Sequence, residues 1–193
     1  VTDDRIPPLI KIGLVHAQFE TIHPFIDGNG RMGRLFITFY LCQKGILARP
    51  LLYLSIYLKQ HREEYYNNLQ KIRIEGDWES WLKFFLRGII EVSKEALANA
   101  KEIIALKERL IDTLVKNNVG GLSAVRLIDL LFTKPVVTVT DISSALGISH
   151  QPAYDLVNQF EKLEILREIT GKKRYKKYLF TDYLRIIERG TGQ

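Results

Sequence analysis

Apolar positions recur at helical spacing through most of the chain. Leu9, Ile10, Gly13, Leu14, Ala17 and Phe19 predict a helix that stops near Thr21, because the residue before Pro24 disfavours helical geometry. A loop over 23–30 follows. A second helix is expected from about Arg31 to Lys44, with Leu35, Phe36, Phe39 and Tyr40 turned inward and Gly45 as its stop. Leu51 to Leu58 and then Lys59 to Ile74, with Tyr65, Leu69 and Ile72 in register, read as further helices closed by Glu75-Gly76. Asp77 is placed to cap the next one. From Trp78 the series Trp81, Leu82, Phe85 and Ile89 continues through Ile103, Leu106, Leu110 and Leu114, as one long helix or two in series. Asn117-Asn118-Val119-Gly120-Gly121 ends it and is the clearest linker in the chain.

Past the linker, Ser123 is expected to cap a helix through Phe132, stopped by Lys134-Pro135 before a strand-like Val136 to Val139. Thr140 is expected to cap a helix over Asp141 to Leu146. Gly147 turns the chain, and Ser149 is expected to cap a third helix from His150 to about Glu164, with Ala153, Val157 and Phe160 inward. Glu168-Ile169-Thr170, Gly171-Lys172-Lys173 and Tyr175 to Phe180 read as a β-hairpin with a basic tip, and Thr181 opens a last short helix. A helix-turn-helix followed by such a hairpin resembles a winged-helix domain. The expected fold is therefore mainly α, with a helical core over 1–118 and a small winged helix-turn-helix domain over 119–193.

Composition narrows the function classes. With 46% hydrophobic and 26% charged residues the 193-residue chain is apolar enough to fold. A single cysteine, Cys42, excludes an internal disulfide, and its neighbours Tyr40 and Leu41 suggest a buried, reduced thiol in a cytoplasmic protein. No apolar run approaches the roughly 20 residues a membrane span needs. The acidic opening Val1-Thr2-Asp3-Asp4 does not read as a signal peptide, and the chain reads as the later part of a longer protein. The net charge is +6. It divides into 17 basic and 14 acidic residues up to Asn118, net +3, and 11 and 8 beyond it, also net +3. The shorter segment is the denser in charge, which invites an anionic partner.

Chemistry concentrates in His23-Pro24-Phe25-Ile26-Asp27-Gly28-Asn29-Gly30-Arg31-Met32-Gly33-Arg34. Arg31 and Arg34 fall in the first turn of the predicted second helix, where the macrodipole is already positive and favours acids instead, so something anionic must compensate. Gly28 and Gly30 let backbone N–H groups converge into a nest for phosphate oxygens. The two arginines, three apart, can both reach one polyphosphate. Asp27 is the only acid between Glu20 and Glu63, and Mg²⁺ enters phosphate sites on one or two carboxylates. His23, just before the nest, is suited to take a proton from an attacking hydroxyl. Each residue alone has a blander role, as a structural histidine, a turn aspartate or a pair of solvated arginines. Acid, nest, clamp and base within twelve residues argue for a phosphate site. The Gly28-x-Gly30-x-x-Gly33 spacing also fits a dinucleotide fingerprint. That reading fails because a helix precedes it and no Asp or Glu occurs from Gly28 to Arg62. One cysteine and four scattered histidines give no zinc spacing.

These twelve residues match the His-Pro-Phe-x-Asp/Glu-Gly-Asn-Gly-Arg-x-x-Arg signature, and the segment resembles the Fic family. The flanks resemble it too: Gln18-Phe19-Glu20-Thr21-Ile22 before, and Pro50-Leu51-Leu52-Tyr53-Leu54-Ser55, Tyr65-Tyr66 and Gly76-Asp77-Trp78 after, so the likeness covers about residues 5 to 118. The resemblance implies transfer of AMP from ATP to a Tyr, Ser or Thr hydroxyl of a protein. A minority of the family moves other phosphate-containing groups or reverses the reaction. It implies His23 as general base, Asp27 as the Mg²⁺ ligand, and Gly28, Asn29 and Gly30 as the anion hole with the Asn29 side chain at the α-phosphate. It further implies Arg31 and Arg34 on the β- and γ-phosphates and Phe25 packing the loop into the core. Fic proteins usually carry a β-hairpin flap upstream of the signature, and only 22 residues precede His23. Many also carry an inhibitory Ser/Thr-x-x-x-Glu-Gly/Asn helix. Glu75-Gly76 has Lys71 where the hydroxyl residue belongs, so an inhibitory segment would come from upstream or from an antitoxin-like partner.

In the winged helix, His150, Gln151, Tyr154 and Asn158 are expected on the outward face of the third helix. Lys172, Lys173, Arg174, Lys176 and Lys177 cluster at the hairpin, which suits base and phosphate contacts. Asp155, Glu161 and Glu164 on the same helix oppose a phosphate backbone, so docking or homodimerisation is weighed above specific DNA binding. The expected protein is a Mg²⁺-dependent adenylyltransferase. The alternative is a DNA-binding regulator whose first domain only binds nucleotide.

Overall fold

The computed structural model describes residues 5–47 and 54–191; the opening Val1–Asp4 and the Leu51–Tyr53 part of a predicted helix and flank lie outside them. The chain divides into two compact units, Val1–Leu97 and Ala98–Gln193.

In the first unit, α1 (Pro8–Ile22) opens on Pro7-Pro8, where the missing proline N–H costs nothing. It ends at His23, whose left-handed φ of 49° turns the chain while its N–H still bonds Phe19 O at 3.0 Å. After α2 (Asn29–Gln43) come α3 (Leu54–Gln60), α4 (Arg62–Glu75) and the start of α5 (Trp78–Lys116). Asp77 caps α5 as expected, accepting from Ser80 N at 3.0 Å. The core gathers on Trp81, Phe84 and Phe85, with the Trp81 indole N–H donating to Gly13 O at 2.9 Å.

Two expectations for α2 are corrected. It begins at Asn29, two residues before the predicted Arg31, and it buries Asn29, Gly33, Ile37 and Leu41. The predicted inner residues Leu35, Phe36 and Phe39 are exposed, and Tyr40 is half-buried. The cause is close approach. Gly33 has no side chain, and a Cβ there would lie 2.6 Å from Glu20 Oε1 and 3.0 Å from His16 Cε1 on α1. The narrow Gly33–Ile37 face fits against α1, and the bulky phenylalanines are turned out. Cys42 is half-buried, not buried.

One helix, not two, follows Trp78: α5 runs 39 residues. The boundary between the compact units falls inside it, upstream of the Asn118 boundary read from the glycine-rich linker. Leu106, Leu110 and Leu114 bury with the second unit's core, so the linker ends the helix without ending the packing.

In the second unit, α6 (Leu122–Thr133), β1 (Val136–Val137), α7 (Val139–Leu146), α8 (His150–Lys162), β2 (Arg167–Glu168), β3 (Tyr178–Leu179) and α9 (Thr181–Thr191) surround a core including Leu127, Ile128, Val157 and Phe160. The three strands form an antiparallel sheet ordered β1-β3-β2. Helices, small sheet and β2–β3 wing agree with a winged helix-turn-helix. Capping differs from expectation in two places. Gly121, not Ser123, precedes α6. Thr138, not Thr140, caps α7, through a capping box in which its hydroxyl accepts from Asp141 N while Asp141 accepts from Thr138 N. Ser149 stands at the start of α8 without a side-chain cap bond.

Candidate active site

The signature loop joins α1 to α2, and its shape is set from within. Asn29 is buried, and its side chain clasps the Phe25 backbone at both ends: Oδ1 accepts from Phe25 N at 2.9 Å and Nδ2 donates to Phe25 O at 2.5 Å. The amide that the resemblance places at the α-phosphate is thus engaged in holding the loop. Phe25 does not enter the core. It is half exposed and stacks at a tilt on Phe19, with centroids 6.3 Å apart.

Gly28 takes φ 83°, which a side chain would strain, and delivers the chain into α2. The first intrahelical bond is Met32 N to Gly28 O at 2.9 Å, so the N–H groups of Asn29, Gly30 and Arg31 precede the ladder and remain available to an anion. Arg31 closes the first turn and Arg34 lies in the second, because the helix starts earlier than predicted. Asp27 sits at the mouth. Its Oδ1 accepts from Gly28 N at 2.6 Å and its Oδ2 pairs with Arg31 Nη2 at 3.3 Å. Both partners are largely exposed, so the pair is weak and easily broken. The His23 imidazole is exposed beside the loop.

Beneath these residues lies a polar layer that sequence reasoning missed. Glu20 on α1 is 8% exposed. Burial raises its carboxyl pKa above the ordinary value, opposed by the charges of Arg34 and His23, a hydrogen bond from Tyr65 and the charge of Arg73. His16, one turn earlier, is fully buried, with Nε2 at 3.0 Å from Tyr65 Oη and its ring stacked on Trp81. Burial, reinforced by Arg34, pulls its pKa down to about 4. The Tyr65 hydroxyl, buried and close to Glu20, is pushed well above its ordinary pKa. Arg73 of α4 donates to Glu20 O at 3.2 Å and ties down the end of α1. The one signal in the sequence was helical spacing, since His16 and Glu20 are four apart. Tyr65 comes from α4, and no spacing announces it.

Among the described residues no group of three or more His, Cys, Asp and Glu could hold a metal ion. A divalent cation here would depend on Asp27, whose exposed oxygens are hard donors of the kind Mg²⁺ takes with phosphate and water completing its shell. That donor set fits Mg²⁺. Among the described residues, no helix is long and apolar enough to cross a membrane.

In the second unit, a cleft of about 570 Å³ brings Gln151 and Tyr154 of α8 together with Lys173 and Arg174 of the wing; Lys172, exposed, lies outside its lining. His150 also lines it, whereas Asn158 is half-buried and does not. Gln151 is engaged with Asp155 at 2.9 Å. The wing is braced by Glu168, whose carboxylate accepts from Thr170 N at 2.6 Å, Gly171 N at 3.1 Å and the Thr170 hydroxyl.

Comparison with known proteins assigns these two regions. The profile of the Fic/DOC family matches residues 1–41, and that of an HTH DNA binding domain matches residues 125–178. The protein adenylyltransferase Fic of Aedes aegypti is 38% identical over 77 residues, 40% of this chain and 14% of that protein. Those of Drosophila grimshawi and Drosophila erecta are 37% identical over 81 residues and 39% over 77. The matched segment thus spans about one seventh of the length of these relatives. A crystal structure of a Fic family protein from Desulfovibrio desulfuricans G20 aligns over 93% of this chain and 51% of that one, at 24% identity and a TM-score of 0.49. The Fic/DOC match contains the complete signature and the helix-turn-helix match falls on the winged unit, which together support a Fic protein with a C-terminal helix-turn-helix domain.

Proposed function

We propose that the first unit transfers AMP from ATP to a hydroxyl of a protein side chain and that Mg²⁺ assists. The observation that carries this reading is the opening turn of α2: three N–H groups ahead of the hydrogen-bond ladder, Arg31 and Arg34 behind them and Asp27 at the mouth. The relatives' name, protein adenylyltransferase, supports the same chemistry. His23 receives the proton of the attacking hydroxyl, whose oxygen bonds to the α-phosphorus as the bond to the bridging oxygen breaks and pyrophosphate departs. The N–H groups of Asn29, Gly30 and Arg31 stabilise the charge that develops on the α-phosphate. Arg31 and Arg34 hold the β- and γ-phosphates, while Asn29 keeps the loop in shape through Phe25. Asp27 would hold Mg²⁺, which supplies charge neutralisation on the phosphates when bound.

The test uses ATP labelled at the α- or the γ-phosphate, Mg²⁺ and a lysate of candidate targets. Protein should take up the α-label and not the γ-label, and His23→Ala should abolish uptake. Equal transfer by wild type and His23→Ala would remove the catalytic assignment.

A second reading, that the chain is a DNA-binding regulator whose first unit only binds nucleotide, is favoured by the match over residues 125–178 and by the cleft joining α8 to the wing. Gel shifts in titrated salt examine it. Lys173→Ala with Arg174→Ala should weaken binding and flatten the salt dependence.

A further inference from the structure

We infer that Tyr175, on the wing of the second unit, is an acceptor for this chain's own nucleotidyl transfer, and that AMP placed there closes the adjoining basic cleft to nucleic acid. The inference rests on the transfer reading above. Three observations lead to it. First, the ring is accessible. Tyr175 is 91% exposed, the most of any tyrosine among the described residues, and no hydrogen bond or ring contact among them engages it. Its rivals are engaged: Tyr66 packs edge-on against Tyr65 under the Arg62 guanidinium, and the Tyr183 ring lies against Phe132 and Phe180. A hydroxyl that must come within bonding reach of a phosphorus in another site is best carried on a loop and free of neighbours. Second, the backbone is strained. Tyr175 holds φ 56°, the left-handed region, where a side chain this bulky is an outlier. Such strain collects at functional positions, and a ring left in solvent gains no packing to offset it. Third, the setting is cationic. Lys172, Lys173, Arg174, Lys176 and Lys177 flank Tyr175, and no acid falls between Glu168 and Asp182. The segment is therefore drawn to the triphosphate of a nucleotide held elsewhere.

The step balances. The Tyr175 oxygen bonds to the α-phosphorus of ATP, the bond from that phosphorus to the bridging oxygen breaks, pyrophosphate leaves, and the hydroxyl proton passes to His23 of this or a second copy. The product is a phosphodiester, so a neutral phenol becomes a negatively charged group that carries adenosine. Tyr175 lines the cleft of about 570 Å³ together with Gln151, Tyr154, Lys173 and Arg174, and no acid lines it. The new charge offsets one of those cations, and the adenosine occupies the face that a phosphate backbone would use.

The experiment incubates the 193-residue chain with α-labelled ATP and Mg²⁺, alone and with a lysate, and maps the labelled peptides by mass spectrometry. Label on the chain should fall on the peptide that holds Tyr175. Tyr175→Phe should lose that label while labelling lysate proteins as wild type does, and His23→Ala should label nothing. In gel shifts with a DNA duplex, modified wild type should bind about tenfold more weakly than unmodified, and Tyr175→Phe should bind equally before and after the same incubation. Lysate proteins or other residues labelled while Tyr175 is not, a modified Tyr175 that leaves duplex affinity unchanged, or a duplex that neither form binds each overturns the inference and leaves the transfer reading standing. If neither the chain nor any lysate protein takes up label, the transfer reading falls and the inference falls with it.

Discussion

Acidifying the protein from pH 8 to pH 4 should destabilise its first unit chiefly through one imidazole, that of His16. The ring is 1% exposed, accepts or donates at Nε2 to the Tyr65 hydroxyl, and stacks on Trp81 at 5.9 Å and 13°. Burial is the main reason its pKa falls from 6.5 to about 4. The Gly33 backbone opposes this slightly without reaching hydrogen-bond geometry at Nδ1, and the charge of Arg34 adds to the fall. The unfolded chain takes up this proton below about 6.5 and the folded chain only near 4, so between those values the unfolded state binds more protons. Stability is then fully present above 6.5 and is lost as pH drops, by up to about 1.4 kcal/mol per pH unit and about 3 kcal/mol in all. Glu20 acts with the opposite sign. Its raised pKa means the folded state binds that proton first, so acid below that raised value relieves a buried charge and softens the decline. Both tryptophans, Trp78 and Trp81, lie in the first unit, so urea unfolding followed by tryptophan fluorescence reports on that unit. The wild type should lose up to about 3 kcal/mol of a typical 5–15 kcal/mol stability over this range, and His16→Gln should flatten the curve. An unchanged acid slope in His16→Gln would refute the reasoning.

Gly33→Ala places a methyl group 2.6 Å from Glu20 Oε1 and 3.0 Å from His16 Cε1 and should cost about 1–3 kcal/mol in the same unfolding assay; a cost near zero would mean that α1 and α2 tolerate separation. Asp27→Asn releases Arg31, so on the nucleotidyl-transfer reading ATP binding measured by calorimetry should strengthen without Mg²⁺ and weaken with it, and an unchanged response to Mg²⁺ argues against Asp27 as its ligand. Thr138→Ala breaks the capping box of α7 and should destabilise the second unit by about 1 kcal/mol in circular-dichroism melts, while Thr140→Ala should be nearly neutral.

What the sequence disclosed followed how local each feature is. The break in helix after Ile22, the α5 cap at Asp77 and the helix-turn-helix order with its wing all depend on near neighbours, and the structure places them where those neighbours dictate, although the loop closes at Gly28 and not Gly30. The buried face of α2 departs from its apolar content, which points to Leu35, Phe36 and Phe39. The deciding fact is that Gly33 alone lets α1 approach, a property of two helices and not of one. Thr138 and not Thr140 caps α7 because Thr138-Val139-Thr140-Asp141 carries the Ser/Thr-x-x-acid spacing of a capping box, a signal that is local and legible in the sequence. The layer of His16, Glu20 and Tyr65 was out of reach, since Tyr65 stands 49 residues from His16 and meets it only after folding.

That buried layer also changes the electrostatic argument that first drew attention to the loop. From sequence, two arginines at a helix N-terminus required an anion from outside. In the folded chain Arg31 already pairs with Asp27 at 3.3 Å, whereas Arg34 makes no ion pair with the buried Glu20 and acts on it through its charge alone; what distinguishes the two carboxylates is burial. An exposed pair such as Asp27–Arg31 is worth about 0–1 kcal/mol, which an incoming triphosphate readily exceeds, so Arg31 can change partner. Glu20 cannot be rehydrated without separating α1 from α2, so Arg34 stays within the field of that buried carboxyl when phosphate arrives. On the nucleotidyl-transfer reading the cradle thus has one arginine that moves to the ligand and one that waits in place. Salt should expose the difference, because screening acts on exposed charges and spares buried ones. Raising the ionic strength should erode the Arg31 contribution to ATP affinity, measured as the loss in Arg31→Ala, while the loss in Arg34→Ala stays nearly constant. Equal erosion of both would mean that burial does not separate the two arginines.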